Sequence, residues 1–313
     1  MTLHIDWRDI PQDARGCVLA LGNFDGVHRG HAHLLHAAHT ARPDAPLGVV
    51  TFEPHPRSLF RPDDPPFRLT PSPAREILLS GLGVRHIFEI RFDAAFSELT
   101  ADDFVREVLH RGLGAVHVAC GVDFAFGHRR GGNATLLAAL SETLGIGLSL
   151  VPPLVDESGP ISSSRIRRAL QDGYPERAGE LLGRPWAITG VVAHGDKRGR
   201  TIGFPTANVA LGAHLEPARG VYAVRATLAD GRTVPGVANI GRRPTVAEGS
   251  ISRLEVHLFD FDGDLYGQEI TVLLDEFLRA ERKFDSFDAL RAQIVADAAH
   301  ARASLDPWSG LSA

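Results

Sequence analysis

The first half of this chain alternates short apolar runs with stretches of helical spacing, and that rhythm constrains its fold more than any other feature. Val18 to Leu21, Leu47 to Phe52, Val84 to Phe88, Ala115 to Cys120 and Gly147 to Val151 read as buried strands. Between them, Arg75 to Ser80, Ala101 to His110 and Ala134 to Leu144 carry apolar residues at helical intervals. Parallel strands need crossover connections, so the alternation predicts an α/β unit with a parallel sheet covered on both faces. Such a sheet binds ligands beyond the C-terminal ends of its strands.

The pattern breaks after Pro160. Ser162 to Gln171 and Glu176 to Leu182 read as two short helices. From Arg184 the chain turns β-rich and glycine-punctuated, in Ala187 to Ala193, Gly220 to Leu228, Arg253 to Phe259 and Glu269 to Leu274. Ala229-Asp-Gly-Arg232 reads as a hairpin tip. Short strands at this spacing predict a small antiparallel barrel, and the alanine-rich tail from Ser286 to Ser304 predicts a closing helix. The 313 residues are enough for two domains with separate cores, divided as 1–183 and 184–313.

A formal net charge of −5 argues against nucleic acid or an anionic membrane surface as a partner. No apolar run approaches the ~20 residues that cross a bilayer. The start, Met1-Thr-Leu-His-Ile-Asp-Trp-Arg-Asp9, lacks the basic and apolar segments of a signal peptide. A cytoplasmic enzyme is therefore expected. Cys17 and Cys120 each lie in an apolar run, which predicts small buried core residues rather than a disulfide or a zinc site.

Leu19-Ala-Leu-Gly22-Asn-Phe24-Asp25-Gly26-Val-His28-Arg-Gly30-His31 runs from a strand through a glycine-rich turn into a helix. Glycines let backbone amides approach phosphate oxygens, and a helix N-terminus adds partial positive charge. His28 and His31 lie near one face of the first turn, where imidazoles can stabilise charge building at phosphorus. His33, His36 and His39 follow. They fit a solvated helix face or a zinc-binding one, although no cysteine or carboxylate accompanies them. Further on, Ile161-Ser162-Ser163-Ser164-Arg-Ile-Arg167 sets three hydroxyls and a cation at a helix start. That arrangement suits triphosphate oxygens or ordinary N-capping.

In the C-terminal half, Gly195, Lys197, Gly199 and Arg200 belong to a cationic glycine loop able to close over phosphates. It is not a P-loop, because G-x-x-x-x-G-K-[ST] is absent. In Pro205-Thr206-Ala-Asn208 a hydroxyl and an amide oxygen alternate along an extended stretch. Both then face one side and can hold a hard divalent ion; a proline turn with capping side chains is the other reading. Glu255 lies in the apolar strand Leu254-Glu-Val-His-Leu-Phe259. It is either an outward strand residue or a partly desolvated base whose pKa burial would raise.

These segments resemble bacterial bifunctional riboflavin kinase/FAD synthetases. Gly22 to His31 resembles the family's variant of the histidine–glycine–histidine signature of nucleotidyltransferases. Thr51-Phe-Glu-Pro-His-Pro56, Gly121-Val-Asp123-Phe-Ala-Phe126-Gly127 and Ile161 to Arg167 follow in order. Gly190 to Asn208, Gly220-Val-Tyr222, Asn239 to Thr245, Glu255 to Phe261, Asp264 to Gly267 and Arg279 to Phe284 resemble the riboflavin kinase domain. Ser164 stands where the family has threonine, and Asn133 where it often has aspartate.

The resemblance implies a Rossmann-like nucleotidyltransferase domain followed by a small antiparallel β-barrel with a C-terminal helix. It implies ATP-dependent phosphorylation of riboflavin to FMN by the barrel, and adenylylation of FMN to FAD by the first domain. Riboflavin, FMN and ATP would be the substrates, with Mg²⁺ or a similar divalent cation and without nucleic acid or membrane. ATP phosphates would meet Gly22, Phe24, Asp25, Gly30, His28, His31 and Ser162 to Ser164, with Arg167 at the departing pyrophosphate. In the barrel, Gly195, Lys197, Gly199 and Arg200 would do the same. Asp123, Phe126 and Arg279 would serve the flavin, Thr206 and Asn208 the metal, and Glu255 would take the proton of the riboflavin 5′-hydroxyl. Two other classes compete. A different nucleotidyltransferase would leave the C-terminal motifs idle, and a flavin-binding protein without activity should have lost Glu255, Thr206 or His28.

Overall fold

The computed structural model describes residues 1–194, 204–242 and 252–305. The chain forms two compact units, Met1–Asp64 with Thr70–Ser162, and Pro65–Leu69 with Ser163–Ala313.

In the first unit the elements run β1 Thr2–His4, β2 Val18–Leu21, α1 Arg29–Ala41, β3 Leu47–Glu53, α2 Pro56–Phe60 and α3 Ser72–Gly81. They continue as β4 His86–Arg91, α4 Ala94–Ser97, α5 Ala101–Asp103, β5 His117–Gly121, α6 Ala134–Leu144 and β6 Gly147–Val151, then a small hairpin, β7 Val155–Asp156 and β8 Gly159–Pro160. Six strands form one all-parallel sheet in the order β1-β4-β3-β2-β5-β6. Strand order reverses between β2 and β5, the switch point at which such sheets open a ligand crevice. Alternate residues of β2 serve opposite layers, as a strand covered on both faces requires. Leu19 and Leu21 pack with Val105, Leu109 and Val118, whereas Val18 and Ala20 pack with Leu35 and Val49.

The predicted strands are all present in this sheet. β1 was not anticipated: its three residues are too few to show a period, and it forms by pairing beside β4. There His4 stacks on Phe88 at 5.0 Å and hydrogen-bonds His86 at 3.2 Å. Ala101 to His110, predicted as one helix, is a single α-turn followed by a π-helical stretch over Phe104–Gly112. That stretch presses Phe104, Val105, Val108 and Leu109 inwards, and wide turns of this kind concentrate at functional sites.

The second unit runs α7 Ser163–Gln171, α8 Pro175–Leu182, β9 Trp186–Ala193, β10 Ala207–Ala210 and β11 Gly220–Thr227. β12 Thr233–Arg242, β13 Ser252–Leu258, β14 Glu269–Ala280 and α9 Phe287–Leu305 complete it. Six antiparallel strands close into a barrel in the order β10-β13-β12-β11-β14-β9. The barrel and the closing helix match the expectation. β12 escaped prediction because Pro235, Gly236 and Gly241 interrupt its apolar alternation. α9 packs Ala301 and Leu305 against Val221, Ala223, Val237 and Phe259 on the outside of the barrel. Among the described residues no helix is long and apolar enough to cross a membrane.

Candidate active sites

The turn after β2 is built around backbone strain. Phe24 and Val27, neither a glycine, hold φ of +50° and +41°, and Gly26 lies at +92°. A β-branched residue in that region persists only where its surroundings over-determine it. Here they do. Asp25 is 2% exposed and accepts the Thr70 N–H at 3.0 Å. The Asn23 carbonyl accepts from the Thr51 hydroxyl at 3.2 Å and from Arg75 Nη1 at 3.3 Å. Phe24 buries its ring completely. The side chains of Phe24 and Asp25 thus hold the turn from within.

His28 caps α1. Its Nδ1 accepts the His31 N–H at 3.3 Å, while His31 Nδ1 accepts the His28 N–H at 3.3 Å. The rings stack 3.6 Å apart. A nitrogen that accepts carries no proton, so each neutral ring holds its proton on Nε2. In that tautomer each Nε2 is a donor. Gly30 makes room for the pair: a Cβ there would lie 3.0 Å from the His28 ring and 3.2 Å from the Ile161 carbonyl. His33 is half-buried and His36 and His39 are exposed. Among the described residues no three His, Cys, Asp or Glu side chains are grouped to hold a metal ion.

Beyond the C-terminal ends of β2, β3, β4 and β5 lies a cavity of about 410 Å³. Phe52, Phe92, Phe96, Phe104 and Phe126 form its apolar body, and Arg57, Arg129 and Arg130 stand among its polar groups. Gly22 and Asn23 border it. Phe126 stacks on Phe124 at 5.5 Å. Asp123, by contrast, is exposed after β5 and outside the lining. The phenylalanines come from four separate segments, so no local pattern announced them.

Ser162 ends the first unit, Ser163 opens α7 in the second, and Ser164 is exposed. Arg167 donates from Nε to the Phe67 carbonyl at 2.9 Å, and its guanidinium stands over the Phe67 ring. Part of its donor set is thus engaged inside its own unit.

In the barrel, strand register assembles the site. Asn208 of β10 lies opposite Glu255 of β13, and Glu255 lies opposite Asn239 of β12. Asn239 faces Val221 of β11, which faces Arg279 of β14. Directly paired residues project to the same side of a sheet. One row across five strands therefore carries two amides, a carboxylate and a guanidinium. Glu255, Asn239, Val221 and Arg279 line a cavity of about 720 Å³, whose far wall includes Phe287, Leu290 and Ile294 of α9. Thr206 borders this cavity and also a second one of about 340 Å³ beside Phe261 and Tyr266.

Glu255 is exposed. Of the two readings left open for Glu255, the structure shows the outward strand residue, because strand alternation buries Leu254 and Val256 and turns Glu255 outwards. Asn208 is almost fully buried at the end of the row. Arg279 lines the larger cavity, and its Nε and Nη2 are held by Asp297 of α9 at 3.0 and 2.8 Å. Asn239 stood inside a recognised motif without being singled out, whereas Asp297 and Arg75 carried no local signal. Gly195, Lys197, Gly199 and Arg200 lie outside the described residues.

Fold and sites together define the class: a two-domain enzyme transferring phosphorus-containing groups. Comparison with known proteins narrows it. The FAD synthetase family matches residues 10–165 and the riboflavin kinase family residues 182–305. The bifunctional riboflavin kinase/FMN adenylyltransferase of Escherichia coli (strain K12) is 44% identical over 294 residues, 93% of each chain. That of Bacillus subtilis (strain 168) is 38% identical over 295 residues, 92% of each. A crystal structure described as a macrolide-efflux protein from Streptococcus pneumoniae shares the fold with a TM-score of 0.85 and 36% identity, over 95% of this chain and 96% of that one. The chain belongs to the bifunctional riboflavin kinase/FMN adenylyltransferase family. Its C-terminal domain phosphorylates riboflavin to FMN, its N-terminal domain adenylylates FMN to FAD, and ATP is the co-substrate.

Proposed function

We propose that residues 184–313 perform the phosphoryl transfer and residues 1–183 the adenylyl transfer, through the side chains just described. The observation that carries the kinase half is the register row of Asn208, Glu255, Asn239 and Arg279 beside the larger cavity. An apolar wall with a few convergent polar groups suits a neutral, planar riboflavin. The Glu255 carboxylate takes the 5′-hydroxyl proton as that oxygen attacks the γ-phosphorus of ATP. The bond from that phosphorus to its bridging oxygen breaks, and ADP leaves. Because Glu255 is exposed, it returns the proton to solvent between turnovers.

Thr206 and Asn208 hold a divalent cation such as Mg²⁺. Both offer hard oxygen donors, and neither side chain has a hydrogen-bond partner among the described residues, which fits an ion of that kind. When bound, the ion supplies neutralisation of the nucleotide's phosphate charge. The smaller cavity sharing Thr206 takes the rest of the nucleotide, with Gly195, Lys197, Gly199 and Arg200 over its phosphates.

Adenylyl transfer needs no nucleophilic side chain, because the FMN phosphate is itself the nucleophile. One of its oxygens attacks the α-phosphorus of ATP, and the bond to the bridging oxygen breaks to release pyrophosphate. The Nε2–H groups of His28 and His31 donate to phosphate oxygens, and Gly22 and Gly30 let the backbone come close. Ser162, Ser163, Ser164 and Arg167 serve the pyrophosphate end. Phe126 and its aromatic neighbours take the flavin ring, with Asp123 positioning FMN or ATP. The substrates are small molecules, without nucleic acid or membrane, and the enzyme works in the cytoplasm. Its net charge of −5 supports that reading.

Incubation with riboflavin, ATP and Mg²⁺ should yield FMN and then FAD on chromatography. FMN alone would refute the adenylyl-transfer assignment, and no phosphorylated flavin would refute both.

A further inference from the structure

We infer that Arg75 is a positioning residue for adenylyl transfer, acting through the peptide that joins Asn23 to Phe24. Arg75 lies on α3, outside every motif of the sequence, and is 0% exposed. Burying a guanidinium carries a desolvation cost that well-placed partners offset. Glu89 and Glu53 supply the opposing charge, the latter at 3.4 Å, and Ser72 Oγ stands 3.3 Å from Nη2. Nη1 does something different: it donates to the Asn23 carbonyl at 3.3 Å. Thr51 Oγ1 donates to the same carbonyl at 3.2 Å.

A trans peptide is planar, with its C=O and N–H pointing in opposite directions. Two donors that fix the Asn23 carbonyl therefore fix the Phe24 N–H on the other side. Phe24 sits at φ +50°, a conformation in which successive amides form an anion-binding concavity. Its N–H has no acceptor among the described residues, and Asn23 borders the aromatic cavity. Arg75 and Thr51 thus hold a strained backbone donor ready for a phosphate oxygen. Released from them, the peptide can flip to relieve its strain and turn a carbonyl, a dipole of the wrong sign, towards the phosphate.

The inference rests on the Gly22–His31 turn being the ATP-phosphate site. Arg75→Lys keeps a charge beside Glu89 but lacks the fork that also reaches Asn23. Thr51→Val removes the hydroxyl at nearly constant shape. A third variant, Arg75→Met with Glu89→Gln, removes the charge pair as a unit and so avoids a stranded carboxylate. Each is expected to lower kcat/KM for FMN-to-FAD conversion by on the order of 10- to 100-fold, mainly in kcat. Riboflavin phosphorylation by the same chain stays unchanged, and Thr51→Ser restores the rate. A merely structural role would lower the melting temperature and leave the rate per folded molecule alone. FAD formation within about two-fold of the parent in Arg75→Lys and Thr51→Val overturns the inference. His28→Ala, run alongside, separates the two failures. If it abolishes FAD formation while these variants do not, the site stands and the clamp falls; if it too leaves FAD formation intact, both fall.

Discussion

Arg279 on the last barrel strand and Asp297 on the closing helix meet in a two-point ion pair, Nε to Oδ1 at 3.0 Å and Nη2 to Oδ2 at 2.8 Å. Gln293 Nε2 donates to the same carboxylate at 2.6 Å, and Asp297 is 6% exposed. The pair ties α9 to the barrel along one wall of the larger cavity. Removing Asp297 leaves the half-buried Arg279 guanidinium, and Gln293 beside it, without the carboxylate that holds them. Asp297→Ala should therefore destabilise the C-terminal domain by about 3–5 kcal/mol in urea unfolding. A loss under about 1 kcal/mol would mean that the pair behaves like an exposed one.

Glu255 faces the cavity with an amide on the strand at either side. Glu255→Gln keeps the shape and removes the base. Riboflavin phosphorylation should fall by roughly 10²- to 10⁴-fold, while conversion of supplied FMN to FAD continues at the parental rate. Chromatography of the flavins from the two assays checks both halves. Loss of both activities would show that the two sites are not separable.

Gly30 stands against the His28 ring and the Ile161 carbonyl, and a methyl group there would meet them at 3.0 and 3.2 Å. Gly30→Ala should push the His28 ring off its cap. FAD formation is then expected to fall by on the order of ten-fold or more, with FMN formation untouched. An unchanged FAD rate would mean that the stacked histidines are not needed in this geometry.

Burial pushes the Cys17 thiol up to about 11 and the Cys120 thiol up to about 12, and both side chains are free and fully buried. Neither should react with an aromatic disulfide reagent at pH 8 in the folded protein, and both should react once it is unfolded in guanidinium. The linkage has a definite sign. A thiol whose pKa is raised on folding contributes stability that is complete below its unfolded value of about 8.5. That contribution disappears as pH climbs towards 11 for Cys17, so the urea midpoint should fall over this range. Rapid labelling of the native protein would contradict the burial.

Much of this was legible in the chain. The sheet strands other than β1, α6, the barrel strands other than β10 and β12, and the closing helix each carry a pattern that depends on near neighbours alone. His28, Gly30 and Glu255 stood out for the same reason, being special residue types at fixed local spacings. Side-chain direction was less readable. The side chains of Phe24 and Asp25 face inwards, which their place in the turn did not announce, and Glu255, for which the sequence allowed either direction, faces outwards.

By itself the sequence determined that a parallel α/β unit precedes an antiparallel barrel, and it singled out a histidine-bearing glycine turn and a strand glutamate as candidates for their chemistry. Tertiary structure alone decided that Asn239 joins Glu255, that Asp297 holds Arg279, and that Arg75 and Thr51 grip the Asn23 carbonyl. The aromatic cavity belongs with these, since its phenylalanines arrive from separate segments of the chain. The reason is physical: periodicity follows from contacts a few residues apart. Strand register and the partners of a buried charge, in contrast, are set by segments that meet only when the whole domain packs.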